Sequence, residues 1–567
     1  MQNRFREKVE GGGFAVTCEI VPGRGAREDS QEAVVAEAVR LFETGQVDAV
    51  SITDNPGGNP ALLSDALGCE FLSRGVNPLV HFTCKDRNRN QMLSQLYALS
   101  RAGVENLLVM TGDYPMGGWE GRSRPVFDLD SVQAQMLVRQ MNGGLEVEGR
   151  KGPHVEKPTD FFAGCVVTPY KYRAGEVVPQ YLKLEKKLLA GARFVVTQLG
   201  YDTRKLHELL LYLDERGFDV PVIANVYLLP RGSARAMRAG SVAGCHVSDA
   251  LMERLEEEAA GADKGRGMRV ERAAQMVAIA RGLGCAGVHI GGFGLTAEVL
   301  VKVLERAEEL APSWRELVGE VSFGEEGGAY LYEPELDSAG RPTGLNTREH
   351  AELSEDVSER EKEIFANYRL SRFAHSWLFT EGRGFNSSLG KSMDKRDRKK
   401  GAHRAHGLEH LSKTAIYGCR DCGDCGLDAT LYSCPMSACP KCQRNGPCGG
   451  SSDGWCEVFP HERLCIWYKA YHRAMRYGEL WRMTSFITPP NRWEHLWTSP
   501  WSNYTHKRDN IAARIPVSLG FGGGKAGLPE GEAPAAGEDG GPGRDPGGQG
   551  AGEGRGRFER KREEGTC

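Results

Sequence analysis

The amino-acid sequence predicts an α/β protein: a (β/α)8 TIM barrel followed by a mainly helical, cysteine-rich domain and a disordered C-terminal tail. Three observations predict this arrangement. Eight short β-branched runs alternate with amphipathic helical segments from residue 14 to about residue 310. Nine of the sixteen cysteines lie between Cys419 and Cys465. Residues 520–567 are rich in Gly, Pro, Glu and Arg, and they hold too few apolar side chains to form a core.

The eight apolar runs are the predicted barrel strands. Each has the length and the β-branched content of a strand, and several helical segments between them end in glycine, as helices commonly do. Eight such repeats fit a closed barrel better than an open sheet, and no GxGxxG follows the first run. The runs are FAVTCEIV (from Phe14), VDAVSITD (Val47), NPLVHFTC (Asn77), NLLVMTGD (Asn106), FFAGCVVTP (Phe161), RFVVTQLGYD (Arg193), VPVIANVYLL (Val220) and AGVHIGGF (Ala286).

Composition excludes several classes of protein. Hydrophobic residues make up 40% and charged residues 26%, as in ordinary soluble proteins. A net charge of −4 lacks the basic surplus that nucleic-acid binding needs. No secretory signal begins the chain, and no apolar run approaches the roughly 20 residues of a spanning helix. We therefore expect a cytoplasmic protein with no membrane or nucleic-acid partner. Clustered cysteines in a reducing compartment bind metal more often than they form disulfides.

Polar residues close most of the predicted strands at the end where a TIM barrel carries its chemistry. A single His or Thr in such a place often only caps a loop, but six coincident strand ends indicate a functional site. These ends are residues 18–22, 51–55, 81–84, 110–115, 197–198 and 289–292.

Four motifs in register make the chain similar to one known family. They are Glu19 with a proline three residues later, HFTC at 81–84, TGDYP at 111–115 and LEKKLLAGARFVVTQ at 184–198. Together they resemble the methylenetetrahydrofolate reductase family over about residues 8–310, and we place the barrel domain at 8–312. The resemblance implies a flavin-containing barrel, with FAD favoured over FMN, that reduces 5,10-methylenetetrahydrofolate to 5-methyltetrahydrofolate.

The resemblance implies two catalytic residues. Glu19 occupies the position of the family's catalytic acid, and Asp113 matches an aspartate beside the flavin and the folate. The chemistry requires an acid because N10 of the folate must be protonated before the five-membered ring opens. Since Cys18 and Ile20 flank Glu19 on an apolar strand, we expect burial to raise the pKa of Glu19. A structural carboxylate paired with a base is the alternative reading.

The resemblance also implies a set of binding residues. Gln198 matches a glutamine that contacts the substrate, and Lys187 matches a lysine that faces the flavin pyrimidine ring. Two positions depart from the better-known bacterial enzymes: Gln180 replaces an aspartate near the flavin ribityl chain, and Ala234 replaces an aromatic residue that stacks on the substrate. The implied flavin-binding residues are Thr53, His81, Gly112, Asp113 and Lys187.

After a predicted linker at 313–348, residues 349–512 form the predicted cysteine-rich domain, which resembles a domain fused to some members of the family. Its first three cysteines, spaced C-x2-C-x2-C, resemble the start of a bacterial ferredoxin motif. We expect one or two [4Fe–4S] clusters, while structural zinc and disulfides stay open as alternatives. The candidate ligands are Cys419, Cys422, Cys425, Cys434, Cys439, Cys442, Cys448, Cys456 and Cys465.

Three functional hypotheses follow from these features. In the first, the cysteine-rich domain relays electrons to the flavin from a ferredoxin or a partner flavoprotein. In the second, the barrel has lost turnover and the chain is an assembly or electron-relay subunit of a one-carbon enzyme complex, for which the changes at Gln180 and Ala234 leave room. In the third, NAD(P)H reduces the flavin directly and the domain is a zinc-bound cap. Homo-oligomers and hetero-oligomers fit each hypothesis.

Overall fold

A computed structural model describes residues 2–379 and 403–517. All of these residues fall within one compact unit, Met1–Leu528. The predicted tail at 520–567 lies outside the described residues. Among the helices that the structure describes, none is long and apolar enough to cross a membrane.

Eight parallel strands close into a barrel, as the sequence predicts. The barrel strands are β1 (Ala15–Ile20), β2 (Ala49–Ile52), β3 (Pro78–Thr83), β4 (Asn106–Met110), β7 (Phe162–Val167), β8 (Val195–Thr197), β9 (Val222–Leu228) and β10 (Gly287–Gly292). Each corresponds to one of the eight predicted runs, and around the barrel they follow the order β1-β10-β9-β8-β7-β4-β3-β2. A hairpin of β5 (Glu146–Gly149) and β6 (Gly152–Val155) is inserted in the chain between β4 and β7.

Helices pack around this barrel and continue into the C-terminal region. They are α1 (Arg4–Glu10), α2 (Asp29–Glu43), α3 (Ser64–Ser73), α4 (Arg89–Ala102), α5 (Ser131–Gly143), α6 (Ala174–Leu189), α7 (Thr203–Glu215), α8 (Arg231–Arg238), α9 (Asp249–Ala259), α10 (Arg266–Gly282), α11 (Ala297–Leu310), α12 (Trp314–Leu317), α13 (Glu361–Phe365), α14 (Tyr368–Phe379), α15 (His403–Tyr417), α16 (Ile466–Tyr477), α17 (Trp481–Thr484) and α18 (Pro500–Thr505).

An aromatic cluster closes the N-terminal end of the barrel. Phe5 of α1 packs edge-to-face on Phe194, with ring centroids 5.1 Å apart, and Phe162 stacks on Phe194 at 5.0 Å. Leu79, Leu108 and further apolar side chains extend this cluster into the barrel interior. Because α1 covers this end, a ligand reaches the barrel from the opposite end, which we call the mouth.

The segment at 313–348, predicted as a linker, contains ordered structure. Strands β11 (Tyr332–Leu336) and β12 (Pro342–His350) form an antiparallel hairpin that packs against α7. Arg204 of α7 donates from Nε to Asn346 Oδ1 at 2.6 Å, and Tyr332 is buried. The two strands are joined by a tight turn at Asp337, whose carboxylate accepts from two backbone amides.

Short strands and long loops make up much of the cysteine-rich region. Two-stranded sheets form from β13 (Trp455–Cys456) with β14 (Phe459–Leu464), and from β15 (Phe486–Ile487) with β16 (Ile515–Pro516). Residues 418–454, which are all described and carry seven of the nine clustered cysteines, contain turns but no helix or strand.

Helix α6 is buried on both of its faces. Tyr181 and Leu184 share one apolar cluster with Trp467 and Tyr471 of α16, which packs along α6. Gly175 permits this approach, because a Cβ there would lie 2.6 Å from the imidazole of His472. The barrel and the cysteine-rich region therefore share a single core.

Trp467→Ala tests this shared core. Trp467 is 2% exposed, so we expect its removal to lower the free energy of unfolding by about 3–5 kcal/mol in one transition that includes the barrel. Trp481→Ala, at a position that is 60% exposed, is the matched control. Urea unfolding followed by near-ultraviolet circular dichroism measures both. A separate, weakened C-terminal transition with an unchanged barrel transition would contradict the shared core.

Candidate active site

Three titratable side chains converge at the barrel mouth. The potential ligand atoms of Glu19 (β1), His81 (β3) and His289 (β10) all lie within 4.8 Å of one another. Glu19 Oε2 is 3.6 Å from His289 Nε2, and the Glu19 side chain retains 23% of its exposure. Glu19 and His81, both implied by the resemblance, are thus neighbours. His289 was noted in the sequence only as a strand end, and no role was predicted for it.

A hydroxyl group orients each of the two imidazoles. Thr17 Oγ1 lies 2.8 Å from His289 Nδ1, and Ser51 Oγ lies 2.7 Å from His81 Nε2. Each hydroxyl engages one ring nitrogen, and the other nitrogen of His289, Nε2, faces Glu19 Oε2. The burial of both rings further restricts their rotation.

The expected rise in the pKa of Glu19 is wrong for the ligand-free protein. Burial does raise it, but the hydrogen bond and the charge of His289, with a smaller contribution from His81, lower the pKa of Glu19 below its usual value. Burial lowers the pKa of His81 to about 4. The prediction failed because it considered only the apolar neighbours of Glu19 along its own strand.

The predicted flavin-binding residues of β2 and β4 also lie at the mouth. Asp113 Oδ2 accepts a 2.7 Å hydrogen bond from the backbone N–H of Gly57, and Thr53 Oγ1 donates to the carbonyl of Ile20. Gly112 has a φ of +84°, a conformation that L side chains rarely adopt. A glycine at this position therefore allows the chain to turn directly before Asp113.

A buried ion pair supports this side of the mouth. Arg87 Nη1 lies 2.6 Å from Asp54 Oδ2, and Thr83 Oγ1 donates to the same oxygen at 2.7 Å. Burial raises the pKa of Asp54, but Arg87 and Thr83 lower it to a greater extent, to a net value below normal. No role was predicted for Arg87 from the sequence, although a charged residue just after a strand end is a recognisable signal.

Lys187 lies on α6 and bonds to β7, the neighbour of β4, and Gln198 directly follows β8. Lys187 Nζ donates to the carbonyl of Val166 at 2.6 Å, and burial lowers its pKa to about 8, so the ammonium form still predominates at pH 7. Gln198 follows β8 and donates from Nε2 to the carbonyl of Ala243 at 3.4 Å. Ala234 is fully buried in an apolar cluster and presents no ring to a substrate.

Two buried polar atoms near this site have no partner within the described protein. They are Gln180 Nε2, on α6, and Asn225 Oδ1, on β9. A buried amide without a hydrogen bond is costly, and a bound polar molecule such as a flavin or a folate would supply the missing partners. The donors and acceptors at the mouth therefore fit such a ligand.

The clustered thiols separate into two groups. Cys439, Cys448, Cys456 and Cys465 line one cavity, and we call them thiol group B. The other set, which we call thiol group A, consists of Cys419, Cys422, Cys425 and Cys434. Burial raises the pKa of each of the first three thiols of this group, and a nearby cysteine of the same group raises it further. The ninth clustered cysteine, Cys442, lies near Cys434.

Backbone groups near the sulfurs favour the thiolate form. Asp421 N donates to Cys419 Sγ at 3.4 Å, and for six further thiols burial raises the pKa while neighbouring backbone groups act in the opposite direction. Such contacts favour the thiolate that a metal requires and tune the potential of iron–sulfur clusters. The six thiols are Cys422, Cys425, Cys439, Cys448, Cys456 and Cys465.

Comparison with known families agrees with this geometry. The family model described as methylenetetrahydrofolate reductase matches residues 4–307, just over half of the chain. The chain belongs to the methylenetetrahydrofolate reductase family. A second model, described as methylene-tetrahydrofolate reductase C terminal, matches residues 400–494, a range that includes all nine clustered cysteines.

Curated relatives of the methylenetetrahydrofolate reductase family match only part of the chain. A probable methylenetetrahydrofolate reductase (NADPH) from Caenorhabditis elegans is 25% identical over 194 residues, which are 33% of this chain and 26% of the relative. Methylenetetrahydrofolate reductase (NADH) 1 from Arabidopsis thaliana is 27% identical over 237 residues, 40% of this chain and 37% of the relative. The chain thus covers between a quarter and two fifths of these relatives.

Solved structures resemble the chain only distantly. A Clostridium thermocellum protein that binds two copies of 5-methyl-5,6,7,8-tetrahydrofolic acid is 12% identical, with a TM-score of 0.40, and the match covers 54% of this chain and 98% of that one. Tryptophan synthase from M. tuberculosis is 14% identical, with a TM-score of 0.28, and the match covers 55% of this chain and 98% of that one. The barrel is therefore identified by its own strand register.

His289→Gln tests the electrostatics of the mouth. Removal of the imidazole leaves the effect of burial on Glu19 largely unopposed, so the pKa of Glu19 should rise above that of the wild type. Carbon-13 NMR titration of glutamate-labelled protein, with Glu19→Gln to assign the signal, measures the shift. His350→Gln, which removes an exposed imidazole beside Glu215, should leave the pKa of Glu19 unchanged. A Glu19 pKa that did not move in His289→Gln would contradict this account.

Proposed function

We propose that this protein reduces 5,10-methylenetetrahydrofolate to 5-methyltetrahydrofolate, with a flavin at the barrel mouth and electrons supplied through its cysteine-rich region. The observation that carries the proposal is the position of Glu19, at the mouth of a barrel of this family and between two oriented imidazoles. A carboxyl group in that position can exchange a proton both with a neighbouring base and with a bound substrate.

Glu19 acts as the proton donor in this proposal. The pKa of Glu19 lies below its usual value, so before the pterin binds it is a carboxylate beside His289. A pterin bound against Glu19 would remove its remaining water, which raises the pKa of a carboxyl group, so Glu19 would take up a proton from solvent as the pterin binds. The proton then passes from Glu19 to N10, the ring opens to the N5 iminium, and the charge left on Glu19 is stabilised by His289 Nε2 at 3.6 Å.

The flavin would be held by the residues that line the mouth. Thr53, His81 and Asp113 at the ends of β2, β3 and β4 would contact it, and Lys187 would contribute a cation from α6. When bound, the flavin supplies the hydride for the methylene carbon. Gln198, directly after β8, would orient the pterin. These side chains bind and orient the reactants so that the carbon to be reduced meets the hydride donor.

The two thiol groups would hold iron–sulfur clusters. The C-x2-C-x2-C spacing of Cys419, Cys422 and Cys425 and the N–H donor at Cys419 support this choice over zinc. Such clusters supply one-electron transfer when present. Thiol group B is adjacent to the barrel, because Trp467 lines the cavity of this group and also packs on α6. A ferredoxin or a partner flavoprotein would be the outside donor.

A second candidate is direct reduction by NADPH or NADH. The printed names of the Caenorhabditis and Arabidopsis relatives favour it. In that case the cysteine-rich region would serve as a structural cap over α6. Turnover with NAD(P)H by protein in which both thiol groups hold zinc would support this candidate over the electron relay.

Glu19→Gln tests the proposed acid. We expect methylenetetrahydrofolate reduction, driven by a dye that reduces flavin directly, to fall about 10²–10⁴-fold, the usual contribution of a general acid. Flavin absorption should be retained, because an amide of the same shape replaces the carboxyl. Glu43→Gln, on the exposed face of α2, is the matched control. Wild-type turnover in Glu19→Gln would discredit the assignment.

Metal analysis tests the thiol groups. Protein purified without oxygen should contain about eight iron atoms per chain, as two [4Fe–4S] clusters require, with broad absorption near 400 nm. Cys448→Ser should remove about half of the iron, whereas Cys69→Ser, at an exposed cysteine outside both groups, should remove none. Stoichiometric zinc without iron would refute the electron relay.

A further inference from the structure

A loop of the cysteine-rich region lies across the barrel mouth. We call residues 441–453 the cap loop; Cys439 precedes it and Cys456 follows it, and both belong to thiol group B. Gln443 Oε1 accepts hydrogen bonds from Thr111 Oγ1 at 3.2 Å and from Lys183 Nζ at 2.7 Å. The cap loop therefore bonds to the end of β4 and to α6 at the same residue.

The rest of the cap loop continues across the mouth. A Cβ on Gly449 would lie 2.8 Å from Thr168 Oγ1, just after β7, and one on Gly244, beyond β9, would lie 2.9 Å from the carbonyl of Gly449. The carbonyl of Ser451 accepts a hydrogen bond from Lys171 Nζ. The ends of two barrel strands, β4 and β7, and the segment between α8 and α9 are thus in contact with this one loop.

Lys441 forms the link to the predicted flavin site. Its ammonium donates to the carbonyl of Gly112 at 2.9 Å and pairs with the carboxylate of Glu457. Glu457 Oε2 in turn lies 3.5 Å from Cys448 Sγ. A chain of polar contacts therefore leads from thiol group B to the backbone of the turn that carries Asp113.

The surroundings of Lys441 hold its ammonium group in place. Its side chain is 4% exposed and that of its partner Glu457 is 9% exposed. A buried ammonium in an ion pair holds its position, because loss of either partner leaves an uncompensated charge.

The turn at Gly112 has little freedom of its own. A Cβ at this position would lie 3.0 Å from the Thr83 side chain and 3.1 Å from that of Lys85, so the turn is tightly packed on the barrel side. Its carbonyl points to Lys441 on the other side. The orientation of the following residue, Asp113, is thus constrained by both the barrel and the cap loop.

We infer that Lys441 is a positioning residue of the barrel's own site: the cysteine-rich region, besides any role in electron transfer, completes the flavin and folate site by fixing the turn of Gly112 and Asp113. This inference rests on the proposed function for the identity of the ligands. It implies that the barrel binds its ligands fully only while the cap loop is seated on the mouth.

Lys441→Met in the full-length chain, isolated without oxygen, tests the inference. We expect amide hydrogen exchange in residues 108–116 to accelerate at least about tenfold, since the carbonyl of Gly112 loses its partner. With a dye that reduces flavin directly, the KM for methylenetetrahydrofolate should rise at least about tenfold, with a smaller change in kcat. Lys441→Arg, which keeps the charge and a donor, should restore much of both effects.

Two further variants make the test decisive. The double variant Lys441→Met, Glu457→Gln also removes the carboxylate that Lys441→Met leaves unpaired. We therefore expect the double variant to fold even if the single variant does not. It should show the same acceleration of hydrogen exchange and the same rise in KM as expected for Lys441→Met. Lys469→Met is the matched control, because Lys469 pairs with Glu363 within the same region at 2.9 Å, and it should behave as the wild type.

The outcomes separate this inference from the proposed function. Wild-type exchange at 108–116 and wild-type KM in the double variant would overturn the inference. Accelerated exchange with an unchanged KM would also overturn it, because Lys441 would then only stabilise the turn. Wild-type protein that does not reduce methylenetetrahydrofolate would overturn the proposed function. In that case retention of flavin, measured by its absorption, replaces KM: weaker retention in the double variant supports the inference and equal retention overturns it.

Discussion

The ammonium group of Lys183 connects the two halves of this structure. It is buried, and it donates to Gln443 Oε1 and to the carbonyls of Gly446 and Pro447, at 2.7, 3.3 and 3.0 Å. Burial lowers the pKa of Lys183, and an ammonium group in such a place needs all of these acceptors. Lys183 belongs to a barrel helix and its acceptors belong to the cap loop. The buried ammonium of Lys183 would therefore lose these hydrogen-bond acceptors if the cap loop were absent.

The mouth of the barrel depends on this connection. Its floor is formed by strand ends that carry Glu19, His81 and His289, and a loop held between cysteines reaches its rim. A TIM barrel normally builds its site from its own βα loops. In this chain a distant segment supplies one partner of the loop after β4, through the bond of Lys441 to the carbonyl of Gly112.

Much of the fold could be predicted from the sequence, and much of the site could not. The eight strands are local patterns, so β-branched runs were enough to locate them, and Glu19 could be located because its motif lies within a few residues. The direction in which the pKa of Glu19 shifts could not be predicted, since the imidazole that lowers it, His289, lies on β10, 270 residues away in the chain. The hairpin of β11 and β12 was missed because its apolar residues are few and alternate with charged ones. Lys441 looks like any charged residue in a loop until the fold places it against Gly112.

The burial of α6 on both faces has a consequence for how such a protein can be made. A barrel synthesised alone would expose Tyr181 and its apolar neighbours to water, together with a lysine whose acceptors are missing. Such an apolar surface is typical of the interface between obligate subunits. If the two segments were ever encoded as separate polypeptides, they would have to assemble as they fold, and the stoichiometry of the complex would be one to one.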